Sequence, residues 1–181
     1  AVVIVATVKA LKYNGGVPKN ELGQENLEAL ERGLPNLLKH VENITQVFGL
    51  PAVVAINRFT NDTDAELELI RTKCAEYGVH VALSEVWAKG GQGGLELAEE
   101  VLRLCEQPKK FTYAYELDQP LKSKIEAVVK KIYGGVGVSY SAAASKELER
   151  LERMGMGGLP VCMAKTQYSL TDDQTERRDQ L

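Results

Sequence analysis

Ala82-Leu83-Ser84-Glu85-Val86-Trp87-Ala88-Lys89-Gly90-Gly91-Gln92-Gly93-Gly94 runs from an apolar stretch into a polar, glycine-rich loop. One βα unit earlier, Ala55-Ile56-Asn57-Arg58-Phe59-Thr60-Asn61-Asp62-Thr63-Asp64-Ala65-Glu66-Leu67 does the same. Both read as strand, loop, helix, and each loop carries one aromatic residue. In open α/β sheets ligands bind in the crevice beyond the carboxyl ends of the strands. Phe59 and Trp87, the single tryptophan of the chain, are therefore placed where two rings can clamp a flat one.

The pattern extends in both directions. Val2 to Val8 is a nearly continuous β-branched run, which predicts a strand buried on both faces. Asn14 to Pro18 reads as loop. Leu27, Leu30, Leu34, Leu37, Val41, Ile44 and Phe48 recur at steps of three and four and predict a long amphipathic helix over 25–48, ended by Gly49. Pro35 inside it predicts a kink or a break. Pro51 to Ile56 is the second strand. Asp62 or Thr63 caps the next helix, with Glu66 at the capping-box position for Thr63. That helix runs through Leu67, Ile70 and Cys74 to Gly78. Val79 to Val86 is the third strand, the glycines from 90 to 94 form a loop, and Leu95, Ala98, Val101, Leu102 and Cys105 mark another helix.

The order β-α-β-α-β-α predicts parallel strands with right-handed crossovers. Beyond it the pattern changes. Phe111 to Glu116 alternates like a strand with one exposed face. Leu121, Ile125, Val128 and Ile132 mark a helix closed by Gly134-Gly135, Lys146 to Met154 a short helix, and Val161 to Ala164 a last strand. The expected fold is α/β, a three-layer Rossmann-like, mostly parallel sheet followed by a smaller α+β segment. The expected division is a Rossmann-like domain over 1–107, a smaller domain over 108–173, and a tail over 174–181 without order.

Composition narrows the function. With 181 residues the chain can bury one core, or a core and a small appendage. The net charge is −3, and acids and bases are mixed. No basic stripe appears, which argues against nucleic acid as a partner. Lys122, Lys124, Lys130 and Lys131 read as a solvated helix face. The three cysteines, Cys74, Cys105 and Cys162, lack metal-ligand spacing. Cys74 and Cys105 read as small core residues, and the compartment expected is the cytoplasm. There is no signal peptide and no apolar run of membrane-spanning length, so no membrane partner is expected. A start at Ala1 in mid-strand reads as a piece of a longer protein.

Each candidate residue has a plain structural alternative. Phe59 either stacks on a ligand ring or covers the sheet end. Trp87 is either a ligand platform beside opening glycines or a core plug. Lys89, Gly90 and Gly91 open a glycine loop ahead of a helix, an arrangement that cradles anions, but the loop is no G-x-x-x-x-G-K-[ST] motif. Asp62 and Asp64 read as helix-start residues. His40 reads as surface and His80 as a strand start, with no metal set around them. Lys165, at the end of the last strand, either meets an anion or is solvated. No nucleophile elbow, Ser/His/Asp set or catalytic residue stands out, and no G-x-G-x-x-G follows the first strand, which disfavours a nicotinamide-dinucleotide protein.

Longer strings carry a resemblance. Val5-Ala6-Thr7-Val8-Lys9-Ala10-Leu11-Lys12, Gly15-Gly16-Val17-Pro18-Lys19, Val53-Val54-Ala55-Ile56-Asn57, Asp62-Thr63-Asp64-Ala65-Glu66-Leu67, Ser84-Glu85-Val86-Trp87-Ala88-Lys89-Gly90-Gly91 and Leu159-Pro160-Val161-Cys162-Met163-Ala164-Lys165-Thr166-Gln167-Tyr168-Ser169 resemble formate–tetrahydrofolate ligase (10-formyltetrahydrofolate synthetase). The resemblance reaches to about Asp173. It implies an enzyme joining formate to N10 of tetrahydrofolate at the expense of ATP (with Mg), through formyl phosphate. It implies tetrahydrofolate, formate and ATP as partners, a homo-oligomer, and an N-terminal P-loop part of the same enzyme that this chain does not contain. Phe59 and Trp87 map onto the family's ring sandwich, and Leu83 onto the same pocket. Thr60 stands where the family often has proline, and 174–181 lacks the Gly-Arg-Pro continuation. The alternative is a non-catalytic folate- or nucleotide-binding module, or an inactive homologue.

Overall fold

The computed structural model describes residues 1–164 and Leu170. The Lys165–Ser169 run and the 174–181 tail lie outside the described residues.

Three strands, β1 (Val2–Ala6), β2 (Ala52–Asn57) and β3 (His80–Ser84), form a parallel sheet in the order β1-β2-β3. Val5 stands opposite Ala55, and Ala55 opposite Ala82. Helices α1 (Val8–Asn14), α2 (Leu27–Glu42) and α3 (Asp64–Glu76) lie on one face. There Leu30, Leu34, Val41 and Ile70 pack on Val54 and Ile56. Helix α5 (Leu95–Cys105) covers the other face through Leu104, against Val53 and Ala82. The architecture is α/β, with helices on both sides of a parallel sheet. β2, in the middle, is the strand whose apolar run is buried throughout.

β1 departs from the expectation of burial on both faces. Ile4 and Ala6 pack on the core, but Val5 is 68% exposed and Val3 is exposed as well. The β-branched run dictates a strand. Coverage of its second face depends on α5, which lies over β2 and β3.

The segment after β1 also differs. Thr7 caps α1, its Oγ1 accepting from the Ala10 N–H at 3.1 Å, so the chain turns helical well before the loop at Gly15. Val8, Leu11 and Lys12 are buried at helical spacing on a helix too short for periodicity to announce. Helix α2 starts at an Asn26 cap and continues into a π-helical turn, Asn43–Val47. Pro35 does not break it. Pro35 sits on the exposed side, while Leu34, Leu37 and Val41 hold their turns against the core. Gly49 ends the helical run at φ +65°, and a Cβ there would strike the Lys110 carbonyl. Helix α3 has the Thr63–Glu66 capping box that the sequence announces. Cys74 is buried, and burial pushes its thiol up to about 11. Cys105, at the last turn of α5, is exposed rather than core.

Phe111–Glu116 and Val161–Ala164 are not strands. One side chain joins them: the Tyr115 hydroxyl accepts from the Val161 N–H at 2.9 Å and donates to its carbonyl at 3.1 Å. Phe111 stacks on Phe48 with centroids 6.3 Å apart. The alternation of Phe111, Tyr113 and Tyr115 does not mark a buried face: Phe111 and Tyr113 are exposed, and the buried residue of the segment is Ala114. Helix α6 (Leu121–Val128) runs through a π-helical turn, Val129–Tyr133, to Gly134 at φ +76°. Helix α7 (Ala142–Arg153) begins at a Ser141 cap, ahead of the expected start. Of the lysine cluster, Lys122, Lys130 and Lys131 are exposed as expected, and Lys124 departs from the solvated face. Lys124 is fully buried and donates to the carbonyls of Gly157 (2.6 Å) and Leu159 (2.9 Å), and Lys131 donates to that of Ala114. A lysine stem covers apolar surface while its head finds oxygen, which a charge pattern alone does not reveal.

Candidate functional site

The parallel arrangement brings three loops to the carboxyl edge of the sheet, after β1, β2 and β3. β2 delivers Arg58 and Phe59. The Arg58 N–H donates to the Ser84 carbonyl at 3.1 Å, carrying the β2–β3 pairing one step past the strands. Phe59 is fixed by its own turn: its N–H donates to Asp62 Oδ2 at 2.8 Å, and the Asp62 N–H donates back to the Phe59 carbonyl at 3.0 Å. Asp62 is buried in making this turn, and Thr63 is the helix cap. From the first turn of α1, Lys9 sets its ammonium 4.9 Å from the Phe59 ring centroid. Phe59 remains 42% exposed.

Trp87 does not end its strand. β3 stops at Ser84, and Trp87 rides on a single helical turn, α4 (Val86–Lys89), where it is 82% exposed. That excludes the core-plug reading. The glycines after it are not an open loop but a 3-10 turn, Gly90–Gly94, leading into α5. Glu85 organises the whole turn. Its N–H donates to the Gly93 carbonyl at 2.9 Å, and its carbonyl accepts from the N–H groups of Ala88 and Lys89. A Cβ on Gly93 would collide with the Glu85 carbonyl, so this position demands glycine. Gly90 has φ +58°, and Gly91 has open space about it.

The charges between the loops are engaged with one another. Arg58 reaches Asp64 at 3.1 Å and Glu85 at 3.7 Å, and Lys89 sits 2.6 Å from the second Glu85 oxygen. The hydrogen bond from Lys89 holds the Glu85 carboxyl below its ordinary range. The charges of Lys89 and Arg58 act the same way, against desolvation. Lys89, itself exposed, is paired with the Glu85 carboxylate. Leu83 is half-buried and packs on the main core, on the α2–α3 side of the sheet.

Phe59 and Trp87 come to the same edge on adjacent loops. They make no ring contact with each other; ring pairs are formed elsewhere, by Phe48 with Phe111 and by Phe111 with Tyr113. Both rings are exposed, that of Trp87 more than that of Phe59. Lys9, Arg58 and Glu85 escape a search for motifs. Arg58 and Glu85 do stand beside the aromatic residues in sequence, whereas Lys9 meets Phe59 through α1 alone. Among the described residues no three of His, Cys, Asp and Glu gather as a metal site, and no helix is long and apolar enough to cross a membrane.

The comparison with protein families accounts for nearly the whole chain. The model of the formate–tetrahydrofolate ligase family matches residues 1–179 of the 181. The match spans both aromatic loops, the sheet beneath them and the helices that follow. This chain belongs to the formate–tetrahydrofolate ligase family.

Proposed function

We propose that this chain supplies the folate pocket of an ATP-dependent ligase that joins formate to N10 of tetrahydrofolate. The supporting observation is the pair of exposed rings, Phe59 and Trp87, on adjacent loops at the carboxyl edge of a parallel sheet, in a chain of this family. The bicyclic ring of the folate lies between the two rings, with Leu83 at the base of the pocket. Lys89, Gly90 and Gly91 face anionic groups of the substrates, Lys89 by exchanging its Glu85 contact for them.

The reaction runs in two transfers. Formate oxygen takes the γ-phosphoryl group of ATP, releasing ADP. N10 then attacks the formyl carbon, phosphate leaves, and N10 loses its proton. Residues of this chain act by positioning: a ring held at one angle turns the attack of N10 into a near-intramolecular step. ATP, with Mg, is bound chiefly by a P-loop part of the same enzyme outside this chain. The enzyme is a cytoplasmic homo-oligomer. Residues 1–107 form the folate-binding unit and 108–173 a smaller one, and the isolated chain does not ligate.

Trp87 is the only tryptophan, so its emission reports directly on the pocket. Titration with tetrahydrofolate, corrected for ligand absorbance, is expected to quench it saturably. Phe59→Ala is expected to weaken binding by about ten- to a hundredfold, the range for one stacked heteroaromatic ring. An unresponsive emission from a chain shown by circular dichroism to be folded would overturn the ring-clamp role. In the whole enzyme, Trp87→Ala is expected to raise the folate KM far more than it lowers kcat.

A further inference from the structure

We infer that Glu85 and Arg58 form a strut that fixes the spacing of the two aromatic walls, and that both are positioning residues of the pocket. The inference rests on the folate reading for its purpose, but its geometry stands by itself. Glu85 is engaged through both its backbone and its carboxylate. Its N–H and carbonyl shape the turn that displays Trp87, one carboxylate oxygen holds Lys89 of that turn at 2.6 Å, and the other faces Arg58 at 3.7 Å. Arg58 stands next to Phe59, and its guanidinium also reaches Asp64 in the first turn of α3. The chain of charges Asp64–Arg58–Glu85–Lys89 therefore runs from the Phe59 loop to the Trp87 turn, with the Arg58–Ser84 backbone bond beneath it.

Energetics separate a positioning role from a stabilising one. Arg58 and Glu85 are partly exposed, and Asp64 and Lys89 are largely so. Pairs of this kind contribute only about 0–1 kcal/mol to global stability. What four linked charges do well is restrict orientation. Trp87 has little packing to hold it, being carried by a four-residue helical turn and mostly exposed. Phe59, by contrast, is held from the other side by Lys9 and by the Asp62 turn. The strut refers the loosely held wall to the firmly held one.

Hydrogen exchange on the chain, without ligand, tests this across the two loops. Arg58→Gln lies in one loop and is read in the other. The amides of Glu85, Ala88 and Lys89 are expected to exchange about two- to fivefold faster, as loss of one networked surface pair allows. Amides of β2 and α3 are expected to keep their rates, and Arg58→Lys to restore most of the protection. Unchanged rates at 85, 88 and 89, or a uniform acceleration through the core, would overturn the strut. Tetrahydrofolate titration of Trp87 emission gives the second arm. Weaker binding in Arg58→Gln with recovery in Arg58→Lys supports the positioning role, and equal affinity in all three proteins overturns it. A parent chain that shows no quenching refutes the folate reading, and the exchange arm then decides the strut by itself.

Discussion

Replacing Lys12 by methionine is expected to lower the unfolding free energy by about 3–5 kcal/mol, the range for removing one partner of a buried ion pair. Lys12 and Glu66 are 1% and 0% exposed, with Nζ 2.8 Å from Oε1. The lysine also donates to the Gln24 carbonyl at 2.7 Å. Glu66 accepts from the N–H groups of Asn26 (3.1 Å) and Thr63 (3.2 Å), so one carboxylate ties α1, the start of α2 and the cap of α3 together. Without Lys12 the carboxylate stays in the core with its two N–H donors, shielded from water and lacking its cation. Urea unfolding followed by circular dichroism measures the loss, which is a large share of the stability of a typical domain. Lys12→Met combined with Glu66→Leu is expected to recover part of it, because an apolar pair removes the buried charge. The recovery stays incomplete, since the amides of Asn26 and Thr63 lose their acceptor. A loss below about 1 kcal/mol in Lys12→Met, the level of a surface pair, would show that the pair is hydrated in solution.

Gly33→Ala is expected to cost on the order of 3 kcal/mol, the upper range for overpacking a tight interior contact. Helices α1 and α2 meet backbone to backbone. A Cβ on Gly33 would fall on the Leu11 carbonyl, and one on Gly15 on the Ala29 carbonyl. Neither neighbour is a side chain that can swing aside, so the helices must separate. Arg32 Nε donates to the Gly15 carbonyl at 3.1 Å across the same junction and would be strained with it. For a chain of this size, thermal unfolding is expected to fall by roughly 6–12 °C. Gly91→Ala is the control. Nothing lies within 4 Å of its Cβ position, and a shift there within about 0.5 kcal/mol is expected of an open surface site. Equal effects at the two positions would contradict the close helix approach. Because α1 carries Lys9, a displaced α1 also withdraws the cation from Phe59, which ties this packing to the pocket.

The amino-acid sequence by itself determined the elements whose signals are local or periodic. The two strand–loop–helix units, the Thr63–Glu66 box, the stop at Gly49 and the helix ending at Gly134 follow from turn chemistry and from apolar spacing over many residues. The placement of Phe59 and Trp87 at one edge follows too, because parallel βα units put successive loops on the same side. The resemblance carried in the longer strings named the family that the comparison then showed.

Only the tertiary structure decided the rest. Periodicity cannot register a seven-residue helix such as α1, and the alternation over Phe111–Glu116 suggests a strand where the structure has an irregular, mostly exposed segment tied to Val161 by the Tyr115 hydroxyl. A β-branched run reads alike whether or not a helix covers its second face, so the exposure of Val3 and Val5 depends on where α5 lies. Charge has no period at all. Lys12, Lys124 and Glu66 look like any surface residues in the chain, and burial with a partner distant in sequence is what turns them into core ties. The same holds for Arg58 and Glu85, separated by a whole helix in sequence and joined only when β2 and β3 lie side by side.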